Sequence, residues 1–557
     1  MFLATSLLSL PRVLPLVAGA VLAFTSASVR GQAVATPDAG SILRDTQRAL
    51  PAPAPKLAPA RVDSGPRSAG DMQFVVQRFE LRGITLVAPV DVQAVLKPWL
   101  NRDLVFADLE QATQAIATLY QERGWYVRAQ VPEQDVVDGV VRIDIIEAQL
   151  GAIRFAQTEH WPVSRERIER SFAQHQKPGE PLNLLAMNRS VSVLNDLPGV
   201  SVKAALDASD KPQATDLLIT VESKPWFSGS ASTDNQGSRS TGPWRASVNM
   251  GIDNPAKWGD QVQANLMASE GVRYLRMSYS LPIGYDGLRL AAHGSVLNYR
   301  LIGSFQTPGG TFGSAWTRGL VLTYPWIRKA TGNVNLSLSL NDADYVNYAN
   351  GVESSRKAGR TTVFNVGGDL YDQWAGGGTN LWGLTYTTGR VVKTFDKFGL
   401  NLARLQRVSA DTSLWFSLNA QRSFDNLDSS EKFSIGGAQA VRAYPGAQGS
   451  GDHGWLLTLE ARHNLRADLQ MTLFQDVGGV SYSRDPSSVP PDNTQKINSY
   501  RLQGWGLGLN YAINSKTSAK LTVARRAGSN PVASPSGADA DGTRIGNRVW
   551  LNLSSFF

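Results

Sequence analysis

The segment SIGGAQAVRAYPGAQGSGDHGW, residues 434–455, holds the side chains best placed for chemistry: Arg442 and Tyr444, set among glycines and other small residues. The planar fork of an arginine can take a carboxylate with two parallel hydrogen bonds, so this loop tip is suited to gripping an acidic partner. Nucleophilic chemistry is poorly served. Ser450, Asp452 and His453 lie in the same stretch, but near neighbours in a glycine-rich loop cannot orient one another as a catalytic triad requires. The chain has no cysteine and no G-x-S-x-G, H-E-x-x-H or G-x-x-x-x-G-K-[ST] motif. Its five histidines, His160, His175, His293, His453 and His463, lack metal-binding spacing. The chain therefore reads as a non-enzyme, with no metal, no cofactor and no nucleotide site.

Composition bounds what could hold such an arginine. Of the 557 residues only 18% are charged, while glycine and aromatic residues are plentiful, which suits a large β structure better than a disordered or coiled-coil chain. The net charge of +8 is scattered rather than gathered in a stripe, which argues against nucleic acid. Near the start, Arg12 precedes the apolar stretch Val13–Phe24 and small residues through Gly31–Ala33. This pattern reads as a signal peptide over residues 1–33, its apolar core too short to span a bilayer. An exported chain without cysteine has no disulfide staples, so its stability must come from size and hydrogen-bonded sheet.

Residues 38–50 predict a short amphipathic helix with Ile42, Leu43, Thr46, Ala49 and Leu50 on one side. A Pro/Ala-rich linker follows, and together they make a tethered unit over 34–73, either a plug helix or a solvated tail. From 74 to 149 the order is strand, helix, helix, strand, strand, with Leu109, Ala112, Ile116 and Leu119 on one helix face. Residues 150–223 repeat that α+β order, and two tandem copies say more than either alone.

From 224 to 557 helical spacing vanishes and two-faced strands take over. Val334, Leu336, Leu338 and Leu340 alternate with Asn335, Ser337, Ser339 and Asn341. A soluble sandwich gives the same pattern, and three observations favour a membrane barrel. Polar faces are rich in Asn, Ser, Thr and Gln, as a wet lumen requires. Trp258, Tyr274, Trp326, Trp382 and Trp455 fall near strand ends, like interfacial girdles. RVWLNLSSFF alternates and places Phe557 last, resembling the signal that outer-membrane barrels present to their assembly machinery. At roughly twenty residues per strand and connection, about sixteen antiparallel strands are expected.

With these pieces in order, the chain resembles the outer-membrane transporters of two-partner secretion, the hemolysin-activator (TpsB) type of the Omp85 superfamily. The two α+β units match POTRA domains, most closely through YQERGWYVRAQVPEQDVVDGVVRIDIIEAQLGAI. STDNQGSRSTGPWRASVNM resembles the family's first barrel hairpin. The family's VRGY motif stands here as Val441, Arg442, Ala443 and Tyr444, and LFQDVG matches the wall motif through Phe474 and Asp476. The resemblance implies that the loop folds back into the lumen, where Arg442 meets Asp476 as a latch. The placement is physically sensible, because an arginine facing lipid at midplane costs about 2–4 kcal/mol. Ala443 replaces the family glycine and is strained if that position takes a positive φ.

The function implied is a pore that accepts an unfolded periplasmic exoprotein, a large β-helical adhesin or hemolysin, through its POTRA domains. It would pass that partner to the cell surface without ATP. Outer-membrane lipid and, during biogenesis, the barrel assembly machinery are the other expected partners. The competing reading is an Omp85-type factor that inserts other outer-membrane proteins, although such relatives usually carry more POTRA repeats. A plain porin or surface adhesin would have no use for them.

Overall fold

Alternation is what closes this sheet. In the computed structural model, sixteen antiparallel strands run in chain order from Phe227–Asp234 to Asn547–Phe556 and form a closed barrel. Leu320, Leu336, Leu340, Leu507, Leu551 and Leu553 stand exposed on the outside. The alternate residues point into the lumen, so one strand period serves both faces. The last strand closes on the first through five register pairs, Asn552 with Asp234 through Phe556 with Ser230. Gly229 and Phe557 add two backbone hydrogen bonds of 3.0 Å at that seam. The structure describes residues 36–50, 74–157, 160–446, 448–488, 497–534 and 536–557. The signal-peptide stretch and the Pro/Ala-rich linker lie outside these.

Two expectations are corrected. Tyr274 is no girdle residue. It is 3% exposed and faces inward, in an apolar cluster with Leu297, Tyr299 and Tyr345. On the helix Phe106–Glu122 the fourth core position is Tyr120, fully buried, rather than Leu119, which packs half-buried beside it.

The two α+β units share one topology. In the first, Arg78–Arg82 pairs in parallel with Val140–Glu147, which also takes Val127–Gln130 antiparallel. Helices Pro89–Leu96 and Phe106–Glu122 bury Val92, Leu96, Ala112 and Ile116 against Val141, Ile143 and Ile145. The second repeats this with strands Gln149–Phe155, Ala214–Ser223 and Val200–Ala208 and helices Arg165–Ala173 and Leu184–Asn195. Ser164 and Asn183 cap those helices by accepting from free backbone N–H groups of the first turn.

The second unit docks on turns at one end of the barrel. Arg189 reaches the Asp286 carboxylate at 2.8 Å and the carbonyls of Pro325 and Trp326 at 3.0 and 3.1 Å. Arg328 returns the contact to Asp196 at 2.8 Å.

The helix in the lumen and the loop with Arg442

The N-terminal helix runs over Ala39–Arg48. Asp38 caps it by accepting from the Ser41 N–H at 2.9 Å, and the Ser41 hydroxyl accepts from the Asp38 N–H in return. Its apolar stripe, Ala39, Ile42 and Leu43, lies inside the barrel against Met267, Tyr274, Leu297 and Tyr299. Leu50 lies beyond the helix end, not within it, and packs half-buried at the edge of that cluster.

The other face of this helix holds the loop that joins Thr412–Ser423 to His453–Arg466. The Arg44 guanidinium donates to the Ser429 and Lys432 carbonyls at 2.7 and 3.2 Å, and Arg48 donates to the Ser434 carbonyl at 2.8 Å. Lys357 on the wall bridges Asp38 at 3.4 Å and Asp428 at 2.7 Å. Helix and loop therefore fill the lumen as one hydrogen-bonded body.

The loop folds inward because its ends pair, Phe433–Ser434 with Ser450–Gly451, and its interior closes on itself. Val441 donates to the Ile435 carbonyl at 2.9 Å, and Gly437 to the Tyr444 carbonyl at 3.1 Å. Gly437 does this at φ 108°, a backbone only glycine adopts readily.

At the tip, Arg442 Nη2 and Nε donate to the two Asp476 carboxylate oxygens at 2.7 and 2.8 Å, and its backbone N–H adds a third bond at 3.1 Å. The third nitrogen, Nη1, reaches Glu460 at 2.8 Å. Phe474, on the same inward face as Asp476, lies under the guanidinium with 3.5 Å to its ring centroid. Trp550 of the last strand donates its indole N–H to the Arg442 carbonyl at 2.8 Å. Asp476 is fully buried, so this pair is far from a surface salt bridge worth at most about 1 kcal/mol. Removing one partner of such a buried pair costs about 3–5 kcal/mol.

Val441, Ala443 and Tyr444 are each buried beside it. Ala443 does not take a positive φ. It has room for its methyl because residue 504 opposite is glycine; a Cβ added there would stand 2.5 Å from the Ala443 Cβ.

A second cluster is one that motif reading passed over. The loop between Thr517–Arg526 and Asn547–Phe556 also folds inward. Its Asp539 pairs with Arg526 and, at 2.9 Å, with Arg548, while Asp541 pairs with Arg548 at 2.9 Å. Arg526 lies over the Tyr444 ring, and the Ala540 N–H donates to the Gln448 side-chain oxygen at 2.8 Å. A signal was present: GADADG stands between two arginines whose strand parity points both inward.

Comparison with known proteins places this geometry. The model of the family described as haemolysin secretion/activation protein ShlB/FhaC/HecB matches residues 213–511, and that of the ShlB-type POTRA domain matches residues 74–148. The chain belongs to this family. It is 24% identical to the heme/hemopexin transporter protein HuxB of Haemophilus influenzae (strain 86-028NP), over 88% of this chain and 92% of that protein. It is 24% identical to the outer membrane transporter CdiB of Dickeya dadantii (strain 3937), over 86% and 87%. Among solved structures, CdiB from Escherichia coli superposes with a TM-score of 0.67 at 21% identity, covering 90% of this chain and 94% of that one. As a member of the ShlB/FhaC/HecB family the chain is a two-partner secretion transporter. It resides in the outer membrane with its α+β units in the periplasm. The loop carrying Arg442 is therefore an outer-side loop folded back into the pore.

Proposed function

We propose that this transporter receives an unfolded exoprotein at residues 74–223 and passes it through the barrel once the helix and the Arg442 loop give way. The observation that carries the reading is the shared hydrogen bonding of two separable segments inside one lumen, Arg44 and Arg48 of the helix on carbonyls of the loop. A barrel stoppered by movable segments and fed by periplasmic domains suits a conduit for an extended chain. The unoccupied lengths of sheet edge in residues 74–223 would offer main-chain groups to such a chain by β-augmentation. The partner would be a large β-helical adhesin or hemolysin. Export would be driven by the partner folding outside. In this scheme Arg442 and Asp476 latch the loop across the pore, and Phe557 serves the assembly machinery.

The test is secretion of the cognate exoprotein by cells carrying the wild type or a deletion of residues 74–148. The reading requires export to stop while the barrel still inserts. A loss of other outer-membrane barrels instead would favour an insertion factor.

A further inference from the structure

The outside of the barrel carries a feature that transport does not use. On four adjacent strands Arg318, Asp342, Arg360 and Arg390 stand directly opposite one another in register. Their parity is that of Leu320, Leu340, Phe364 and Leu384, all exposed on the outer surface, so the row faces out of the barrel rather than into it. Arg318 and Arg360 share Asp342 through Nε, at 3.5 and 2.9 Å, with their side chains still 80% and 84% exposed. Arg390 is exposed and has no ion-pair partner among the described residues.

The depth of the row is set by its neighbours. Toward the membrane centre lies a ladder of rings, Phe364 to Tyr386 at 6.4 Å and Tyr386 to Phe398 at 5.0 Å between centroids. Such rings mark the interface of an outer-membrane barrel. Arg360 and Arg390 stand four residues beyond Phe364 and Tyr386, about 13 Å along the strand at about 3.3 Å per residue. That is headgroup depth. The turn at Val392 follows directly, at the same end of the barrel as the Arg442 loop, so the row faces the outer leaflet.

The row sets three guanidinium groups against one carboxylate across four strands, a span of about 14 Å at about 4.8 Å per strand, with Asp344 and Asp396 standing next to it on the same face. We propose that this row binds the phosphate groups of a phosphorylated glycolipid in the outer leaflet. Arginine forks take phosphate oxygens bidentately, and Asp342 holds two of them in place beforehand. Basic clusters at a membrane surface recruit anionic headgroups. The adjoining Leu320, Leu340 and Phe364 offer acyl chains an apolar wall, which a free anion does not need. The assignment rests on the outer-membrane placement of the barrel and is independent of what the pore carries.

The experiment uses the full chain purified in neutral detergent, titrated with diphosphoryl lipid A and read by native mass spectrometry. The wild type should retain the lipid. The triple variant R318Q/R360Q/R390Q should bind it at least tenfold more weakly while remaining heat-modifiable on gels. Arg390→Gln alone, which breaks no internal pair, should lose a few-fold and serves if the triple variant misfolds. Equal retention by Arg390→Gln and by a folded triple variant would overturn the site. Displacement of the lipid by an equal concentration of inorganic phosphate would overturn the lipid as its ligand.

Discussion

The guanidinium of Arg526, at the end of the strand Thr517–Arg526, lies over the Tyr444 ring, 4.7 Å from its centroid, and ties the first inward-folded loop to the strand that leads into the second. Each loop has its own arginine–carboxylate cluster, Arg442 with Asp476 and Arg548 with Asp541. Gln448 of the first loop accepts directly from Ala540 of the second, while Tyr444 reaches the second loop through Arg526, which pairs with Asp539.

Arg442→Ala should leave the barrel inserted and heat-modifiable and reduce exoprotein secretion about tenfold or more, because it strands the buried Asp476 without a cation, while Glu460 keeps Arg462. Asp476→Ala should act alike, and the double variant should be little worse than either. Additive defects in the secretion assay would remove the pairing.

The Ala443–Gly504 contact makes a sharper forecast. Gly504→Ala sets two methyl carbons 2.5 Å apart, an overpacking that costs about 1–3 kcal/mol. It should loosen the loop, seen as faster proteolysis within residues 424–452. Ala443→Gly, which removes one of the two methyls, should rescue it. A Gly504→Ala variant unaffected by the second change would refute the packing argument.

Asp539→Asn together with Asp541→Asn removes both anions from Arg526 and Arg548. Hydrogen exchange should then quicken in the loop over 527–546 and, through Tyr444 and Gln448, in residues 437–448 as well. Faster exchange in the last loop alone would mean the two loops are uncoupled.

Deleting residues 38–50, or changing Arg44 and Arg48 to alanine, should raise ion conductance in planar bilayers. The helix loses its hold on the Ser429, Lys432 and Ser434 carbonyls in both cases. Unchanged conductance in the deletion would assign the helix no share in closing the pore.

In the first periplasmic unit, burial works against a charge on Glu147, but donors on Thr85, Leu86 and Tyr120 outweigh it and hold its carboxyl below the ordinary 4.5. A carboxyl lowered on folding stabilises fully above its unfolded value and loses that stability as pH falls through the folded one. Protection of the Thr85 and Leu86 amides, which donate to Glu147 at 2.8 Å each, should therefore decline below about pH 4.5. Hydrogen exchange corrected for intrinsic rates checks this, and Glu147→Gln should abolish the decline.

Much of the barrel was legible because strand alternation is a local property: Leu336, Leu338 and Leu340 declare one face without help from the rest of the chain. The α+β units were legible from order and repetition. Tyr274 was misread because a lumen filled by a helix needs an apolar inner patch, and only the position of Ile42 and Leu43 reveals where. The partners of Arg442 divide the same way. Asp476 came with a motif, whereas Glu460 sits on a neighbouring strand and becomes visible only when Thr458 faces Asp476 in register. Asp539 and Asp541 read as turn residues until the sheet closes and brings Arg526 and Arg548 around them.

The Trp550–Arg442 hydrogen bond bears on the order in which this barrel is made. Residue 442 lies in a loop between the eleventh and twelfth strands, whereas residue 550 belongs to the sixteenth. The loop's seat is therefore incomplete until the final strand has arrived, and the final strand's inner surface is incomplete until the loop has entered. Contacts so distant in sequence form late, and here two late events depend on each other. A nascent barrel can hold a long open sheet, but its stopper and its closing seam mature together, so an unsealed intermediate does not pass for a finished channel.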